Sequence, residues 1–397
     1  MTKEPRLIVV NQTVNPAFND WLIALAARIG PIELWSGNAP VEVLPGVQVR
    51  LAPAYHRATI GARLRSWGSF TRVVTLALLR RGDQTPLFVV TNPPFMPLAA
   101  WLLHRWQQRP YAILEWDIYP HILVPMGKVT AHNPFYRLWQ GWHRRALTAA
   151  RLVITLGEHM AGVLQTTANQ PNLPIEIIPN WIDTGWIRPQ PRAANPFAGQ
   201  HGLDERLTVL YSGNLGATHA IETILAVAEQ LRGNDNIRFL VIGEGTKQPL
   251  VEAAINSGRT PNLRLLPLQP KDMLPQTLTS ADVAIVTLAE GYEGLAMPSK
   301  LYAMLAAGNA ILGISRPPND IEATLARHQC GVNFRPEAVS AIADWLVAMD
   351  SNRAQLAQLR NRARQAAVNH YSTEVCQAAM TRAVIQHLQP IPAQALP

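Results

Sequence analysis

The sequence predicts an α/β protein of two domains, each a parallel sheet covered by helices on both faces. Three observations lead to this reading. Short apolar runs alternate with segments of helical periodicity, the arrangement that produces parallel strands joined by crossover helices. The runs fall into two sets of about five, separated by a stretch rich in proline and glycine that shows no periodicity. The chain has 397 residues, too many for one ordinary core and suited to two domains of about 180 to 200 residues.

The first set comprises Arg6–Val10, Leu87–Thr91, Tyr111–Glu115, Leu152–Leu156 and Ile175–Ile178. Helical spacing intervenes, as in Trp21–Ile29. The boundary is placed in Arg188–Gly202, which holds Pro189, Pro191, Pro196, Gly199 and Gly202. The second set follows as Leu207–Tyr211, Ile237–Ile242, Leu263–Leu268, Val283–Leu288 and Ala310–Ile314, with Ile221, Ile224, Leu225 and Ala228 marking a helix face. The expected domains are residues 1–190 and 203–372. A last helix over residues 373–389, read as packing back on the first domain, precedes the Pro-rich tail Pro390–Pro397.

Composition narrows the class. Hydrophobic residues make up 48% and charged residues 16% of the chain, the balance of a well-buried α/β protein and not of a disordered one. Two cysteines, Cys330 and Cys376, cannot form a disulfide framework or a metal cluster, and their scarcity fits a reducing, cytoplasmic compartment. The start of the chain is charged and its apolar run Leu7–Val10 has the length of a strand, so no signal peptide is expected. The uncharged stretch Gln84–Leu103 is broken by Pro86, Pro93, Pro94 and Pro97 and reads as strand, turn and helix rather than a membrane span.

Charge is unevenly distributed. Residues 1–190 hold 18 Lys and Arg against 10 Asp and Glu, whereas the remainder holds 17 of each, and ten of the eleven tryptophans precede residue 190. Arg57, Arg63, Arg65, Arg72, Arg80 and Arg81 lie in Tyr55–Arg81 without an acidic residue, interleaved with Trp67, Phe70 and aliphatic side chains. Trp101–Arg109 and Phe135–Arg145 repeat the pattern. Such a segment suits an anionic bilayer surface or an anionic lipid-linked acceptor, with Arg57, Arg63, Arg65, Trp67 and Arg72 as the contacting face. It suits equally a helix with one buried and one solvated face. No nucleic-acid module pattern occurs, and the arginines are too loosely spaced for a recognition helix, so nucleic acid is not an expected partner.

Three loops at strand ends carry the chemistry. Tyr211-Ser212-Gly213-Asn214-Leu215-Gly216 stands between a strand and a helix, where glycines let the backbone approach a ligand as phosphate loops do. By itself the G-x-x-G pattern also fits a tight turn. Gly243-Glu244-Gly245 follows the next strand, and its carboxylate can receive a ribose hydroxyl pair or simply face solvent. The run Pro298-Ser299-Lys300-Leu301-Tyr302-Ala303-Met304-Leu305-Ala306-Ala307-Gly308 opens a helix with a Lys in the first turn. A cation is unfavourable at a helix N-terminus unless an anion joins it there. Ser299 as a plain N-cap with Lys300 in water is the simpler alternative. Taken together the three loops describe a nucleotide-diphosphate pocket in the second domain.

This ordered set, with Leu274-Pro275 ahead of Ala281-Asp282-Val283, resembles the donor domain of glycosyltransferase family 4, in the branch with a Pro-Ser-Lys helix. Ile178-Pro179-Asn180-Trp181-Ile182-Asp183 is similar to that family's interdomain I-P-N-G-V-D element. The resemblance spans about residues 87–375 and is strongest over 207–315. It implies a GT-B fold, two Rossmann-like domains facing a central cleft, and a hexosyltransferase acting on a nucleotide-sugar with retention and with no bound metal or other cofactor. The donor-binding residues it implies are Gly213, Asn214, Gly216, Gly243, Glu244, Gly245, Ser299 and Lys300; Glu293, like Glu290 off the family's spacing, is near enough in sequence to reach the sugar hydroxyls and joins the donor-binding candidates.

Glu115-Trp116-Asp117-Ile118-Tyr119-Pro120-His121 looks like the family's loop beside the reacting centre, with Trp116 where a basic residue is usual. Asp117 can stabilise positive charge at the sugar carbon or accept the acceptor's proton, and Lys300 can stabilise the departing diphosphate, so these two are the expected catalytic residues. Asp117 can also serve as a loop cap. Glu115 and Asp117 point to the same side by strand alternation, which makes a divalent ion conceivable, but no second acidic cluster accompanies them. Further departures from the family pattern are Leu295 and Ala303 at the positions of its E-x7-E carboxylates, and Asn214 and His219 where basic residues commonly follow the G-x-x-G loop. The expected function is transfer of a sugar to a glycolipid, lipid-linked or polysaccharide acceptor by a cytoplasmic enzyme on the inner face of the cell membrane. The alternatives are a weakly catalytic binding subunit and a nucleotide-sugar epimerase.

Overall fold

The structure, a computed structural model, describes residues 4–56, 58–203, 206–216 and 219–388. They form two compact units, one running to Pro179 and resuming at Gln377, the other covering Asn180–Cys376. The fold is α/β with two parallel, Rossmann-like sheets.

In the first unit the strands are β1 (Leu7–Val10), β2 (Ile32–Ser36), β3 (Val47–Leu51), β4 (Leu87–Val90), β5 (Tyr111–Glu115), β6 (Leu152–Thr155) and β7 (Ile175–Ile177). They are all parallel, in the order β3-β2-β1-β4-β5-β6-β7. The two central strands, β1 and β4, are apolar throughout and fully buried, as strands covered on both faces must be. Two of the seven lie outside the sequence reading. β2 starts directly after Gly30-Pro31 and contains the buried Glu33, and β3 is an edge strand whose Gln48 and Arg50 interrupt its apolar run.

The second unit holds β8 (Leu207–Ser212), β9 (Ile237–Ile242), β10 (Leu263–Leu266), β11 (Val283–Thr287), β12 (Ala310–Ile314) and β13 (Gly331–Phe334). Their order is β10-β9-β8-β11-β12-β13, again all parallel. β13 is absent from the sequence reading because a glycine opens it and an asparagine lies within its four half-buried residues. Leu207, Val209, Tyr211, Phe239, Val283, Ile285 and Leu312 join helix residues such as Ile221, Ile224 and Leu346 in one core.

The Pro- and Gly-rich stretch Arg188–Gly202 is built into the second unit. It carries the helix Pro196–Gln200, capped by Asn195, whose amide also donates to the Gln276 carbonyl at 2.8 Å, and it buries Phe197. From Gln377 onward the helix Thr373–Leu388 packs in the first unit: the buried Trp21 indole donates to the Thr381 hydroxyl at 3.1 Å, and the Gln377 amide donates to the Ala17 carbonyl.

Both sheets reverse their winding at the centre, between β1 and β4 and between β8 and β11. Loops at the carboxyl ends of those strands border a crevice, the usual ligand position in open α/β sheets.

Candidate functional site

In the second unit the loops after β8, β9 and β11 meet at this switch point. The Gly213 N–H donates to the Ile242 carbonyl at 2.9 Å, the Leu215 N–H to the Glu244 carbonyl at 2.8 Å, and the Lys247 N–H to the Leu215 carbonyl at 2.8 Å. Two glycines are required by this geometry. Gly243 has φ +155°, and a Cβ added there would overlap the Gly213 carbonyl. Gly213 has φ +138°, and a Cβ there would lie 3.0 Å from Lys300 Nζ. Asn214 is exposed, with its amide folded over Gly216 and toward Gly245. These five residues and Lys300 are therefore brought together.

Lys300 is the first residue of the helix Lys300–Ala306. Its ammonium donates to the Tyr211 hydroxyl at 3.1 Å and stands 4.2 Å from the centre of that ring, a cation–π contact. Among the described residues it has no carboxylate partner. Burial brings its pKa down to about 8. His219 lies in the same corner, with Nδ1 3.0 Å from the Thr287 hydroxyl. Burial, and then the charge of Lys300, pull the His219 pKa down to about 4, so its imidazole is neutral at pH 7. Burial raises the Tyr211 phenol. Lys247 reaches the same corner, donating to the His219 carbonyl at 2.7 Å, but it is paired with Glu222; among the described residues Lys300 is the cation there without a carboxylate.

The other expected donor residues divide. Ser299 is exposed and makes no capping bond, so the simple N-cap alternative is not what its hydroxyl does. The Glu244 side chain is exposed, and its backbone carbonyl is what ties two loops together. Glu293 turns onto its own loop: Oε2 accepts from the Gly291 N–H at 2.6 Å, while Oε1 is buried without a partner. Leu295 and Ala303, at the positions of the family's carboxylates, are both buried.

In the first unit Asp117 is half-buried just after β5. Burial, with the neighbouring Glu115 charge, raises its pKa to about 6. Glu115 is completely buried and accepts a hydrogen bond from His143 Nε2 at 2.8 Å. Glu115 thus belongs to a carboxylate–imidazole pair that its sequence spacing from Asp117 does not reveal. No group of three His, Cys, Asp or Glu side chains that could hold a metal occurs among the described residues.

The basic segment forms the 22-residue helix Ile60–Arg81, capped by the Thr59 hydroxyl. Arg65 and Arg72 are exposed beside Leu64, Val73 and Leu76, which are 47%, 41% and 42% exposed. Arg63 is half-buried. Trp67 corrects the reading that grouped it with these arginines: it faces inward with Phe70, Val74 and Leu78, stacked on Tyr55 and edge-on to Tyr119. Its large apolar ring gains more from core packing than the helix's outer face offers. Arg57 lies outside the described residues. No helix among the described residues is long and apolar enough to cross a membrane.

Sequence reasoning missed Tyr211, Thr287 and, as a working group, His219. The signal for Tyr211 was a tyrosine ending an otherwise aliphatic strand directly before the G-x-x-G loop. It also missed Asn11, fully buried at the end of β1 with its amide nitrogen unpartnered.

Comparisons with known proteins find likenesses to glycosyltransferases. Residues 206–352, which contain all three loops, match the family model for Glycosyl transferases group 1. Over 267 residues the chain is 30% identical to the probable glycosyltransferase WbjE of Pseudomonas aeruginosa, a match covering 66% of this chain and 65% of that protein. The sucrose-phosphate synthase of Thermosynechococcus elongatus superposes with a TM-score of 0.74 at 13% identity, over 97% of this chain and 99% of the other. HepE of Anabaena, solved in complex with UDP-glucose, gives 0.68 at 13% identity over 96% and 99%. At these identities the structural likeness is one of fold, and that fold is GT-B.

Proposed function

We propose that the protein is a retaining glycosyltransferase of family 4 that moves a hexosyl group from a nucleotide-diphosphate sugar to a glycolipid, lipid-linked or polysaccharide acceptor. The observation that carries this reading is Lys300, a partly buried cation without a counter-anion among the described residues, held against the backbone of Gly213. A diphosphate supplies the missing negative charge. Gly213, Gly243 and Gly245 leave backbone room for it, and the Ser299 hydroxyl is free to donate to it. HepE, with the same fold, is solved with UDP-glucose, which supports a nucleotide-sugar as donor.

As the bond from the sugar carbon to the phosphate oxygen breaks, negative charge grows on the departing diphosphate, and Lys300 stabilises it. The acceptor oxygen forms the new bond on the same face of the sugar. Asp117 is assigned a role on the acceptor side: it takes the acceptor's proton, or it balances positive charge on the sugar carbon while that proton leaves on the departing phosphate oxygen. No metal or other cofactor is needed in this scheme. The basic, partly apolar outer face of helix Ile60–Arg81 supports work at the cytoplasmic surface of the cell membrane.

The test is thermal unfolding with nucleoside diphosphates and their sugars. A binder at a hundred times its dissociation constant stabilises by about 2.7 kcal/mol. A shift in Tm with one nucleoside diphosphate, lost in Lys300→Ala, is expected; an unchanged shift in the variant overturns the role of Lys300. The buried Ala303 favours one rival, a nucleotide-sugar-binding subunit with weak turnover. Nucleoside diphosphate released in the presence of membrane extract separates the two.

A further inference from the structure

Between the helices Pro134–Ala149 and Glu158–Ala168 of the first unit lies a groove of about 830 Å³ that the donor chemistry does not use. Its floor includes Gly141 and Gly162. A Cβ added at either would meet nothing within 4 Å, so packing requires neither glycine. Glycine inside a helix is unfavourable by about 1 kcal/mol relative to alanine. What the two glycines provide is open space.

The groove's chemistry is mixed. Arg137 and Arg144 line one wall two helical turns apart, and neither forms an ion pair among the described residues; Arg137 contacts only His132 Nδ1, at 3.2 Å. Seven residues of helix rise spread this positive charge over about 10 Å. At the floor His121 Nε2 lies 3.3 Å from the Gln140 amide nitrogen and 3.1 Å from the Thr167 hydroxyl, while His121 Nδ1 is buried without a partner. Glu158 is the one carboxylate in the lining.

Amide, hydroxyl and imidazole groups that both donate and accept suit the hydroxyls of a sugar. Guanidinium groups suit carboxylate or phosphate. Cations spread along a groove suit anionic groups repeated along a chain better than a single phosphate does. His121 is four residues beyond Asp117 in the same loop. We propose that this groove binds an anionic saccharide chain, the acceptor or a segment of it. Only the word acceptor rests on the glycosyl-transfer reading; the binding site itself does not.

The experiment is titration calorimetry on the full chain without donor, using a galacturonate trimer, a neutral glucose trimer and glucose 1-phosphate. The galacturonate trimer is expected to bind at least tenfold more tightly than either other probe. Arg144→Gln, at an exposed position, and Gly162→Leu, which fills the groove, should each weaken it at least tenfold. Gly162→Ala, adding one methyl and helix propensity, should bind within about twofold of wild type and guards against a folding artefact. Equal binding of the neutral trimer, equal or tighter binding of glucose 1-phosphate, no binding of the galacturonate trimer, or unchanged binding by Arg144→Gln overturns the proposal. Nucleoside diphosphate binding by the wild-type chain is measured alongside. If it persists when saccharide binding is absent, the groove fails and the donor site stands; the converse result sinks only the donor reading.

Discussion

The two units share one topology and do opposite things with it. Each has an all-parallel sheet that reverses at its centre, with chemistry-bearing loops at the carboxyl edge. In the second unit those loops are glycines closed around an uncompensated Lys300. In the first, β5 ends in Glu115, whose Oε1 pairs with His143 while Oε2 is buried without a partner, and the loop after it carries Asp117, pushed up to about 6 by burial and by Glu115. The sheet provides a crevice; the sign of the charge it accepts is set by three or four side chains at the strand ends.

The strongest way to break this contrast is to remove the cation. Lys300→Ala should lower turnover by about 10²- to 10³-fold, as loss of one transition-state charge partner does, read as released nucleoside diphosphate. Gly243→Ala attacks the backbone fit instead. At φ +155° with a carbonyl in the way, it should destabilise the second unit by about 2–4 kcal/mol, seen as an earlier thermal transition.

The pH profile sharpens the comparison. In the proposed mechanism Asp117 works as a carboxylate, so kcat/KM should rise as pH increases through about 6, and Lys300 works as an ammonium, so it should fall above about 8. Asp117→Asn should lower the plateau and erase the acid limb while leaving the alkaline one. The smallest effect is expected at the proposed membrane face. Arg72→Gln should weaken binding to anionic vesicles by about fivefold, the worth of one basic residue at such a surface, measured by co-sedimentation.

Much of the Lys300 corner is legible in sequence because its signals are local. Gly213–Gly216 and Gly243–Gly245 punctuate strand ends, and a lysine in a first helical turn is conspicuous. What escapes is assembled across distance. Tyr211, Thr287 and His219 acquire meaning only when β8 and β11 become neighbours, and His143 reaches Glu115 from 28 residues away. The edge strand β3 escaped for a different reason: exposed on one side, it needs no continuous apolar run. Trp67 shows the limit of reading a basic aromatic segment as a surface, since periodicity identifies a helix before it says which aromatic ring faces in.

Lys300 is one of only five lysines in the chain, and its pKa of about 8 has a chemical consequence beyond binding. Near neutral pH a tangible fraction of its amine is unprotonated and nucleophilic, unlike an ordinary surface lysine. An acylating or aldehyde reagent should therefore find this side chain before the others. A diphosphate seated beside it would restore the proton and extinguish that reactivity.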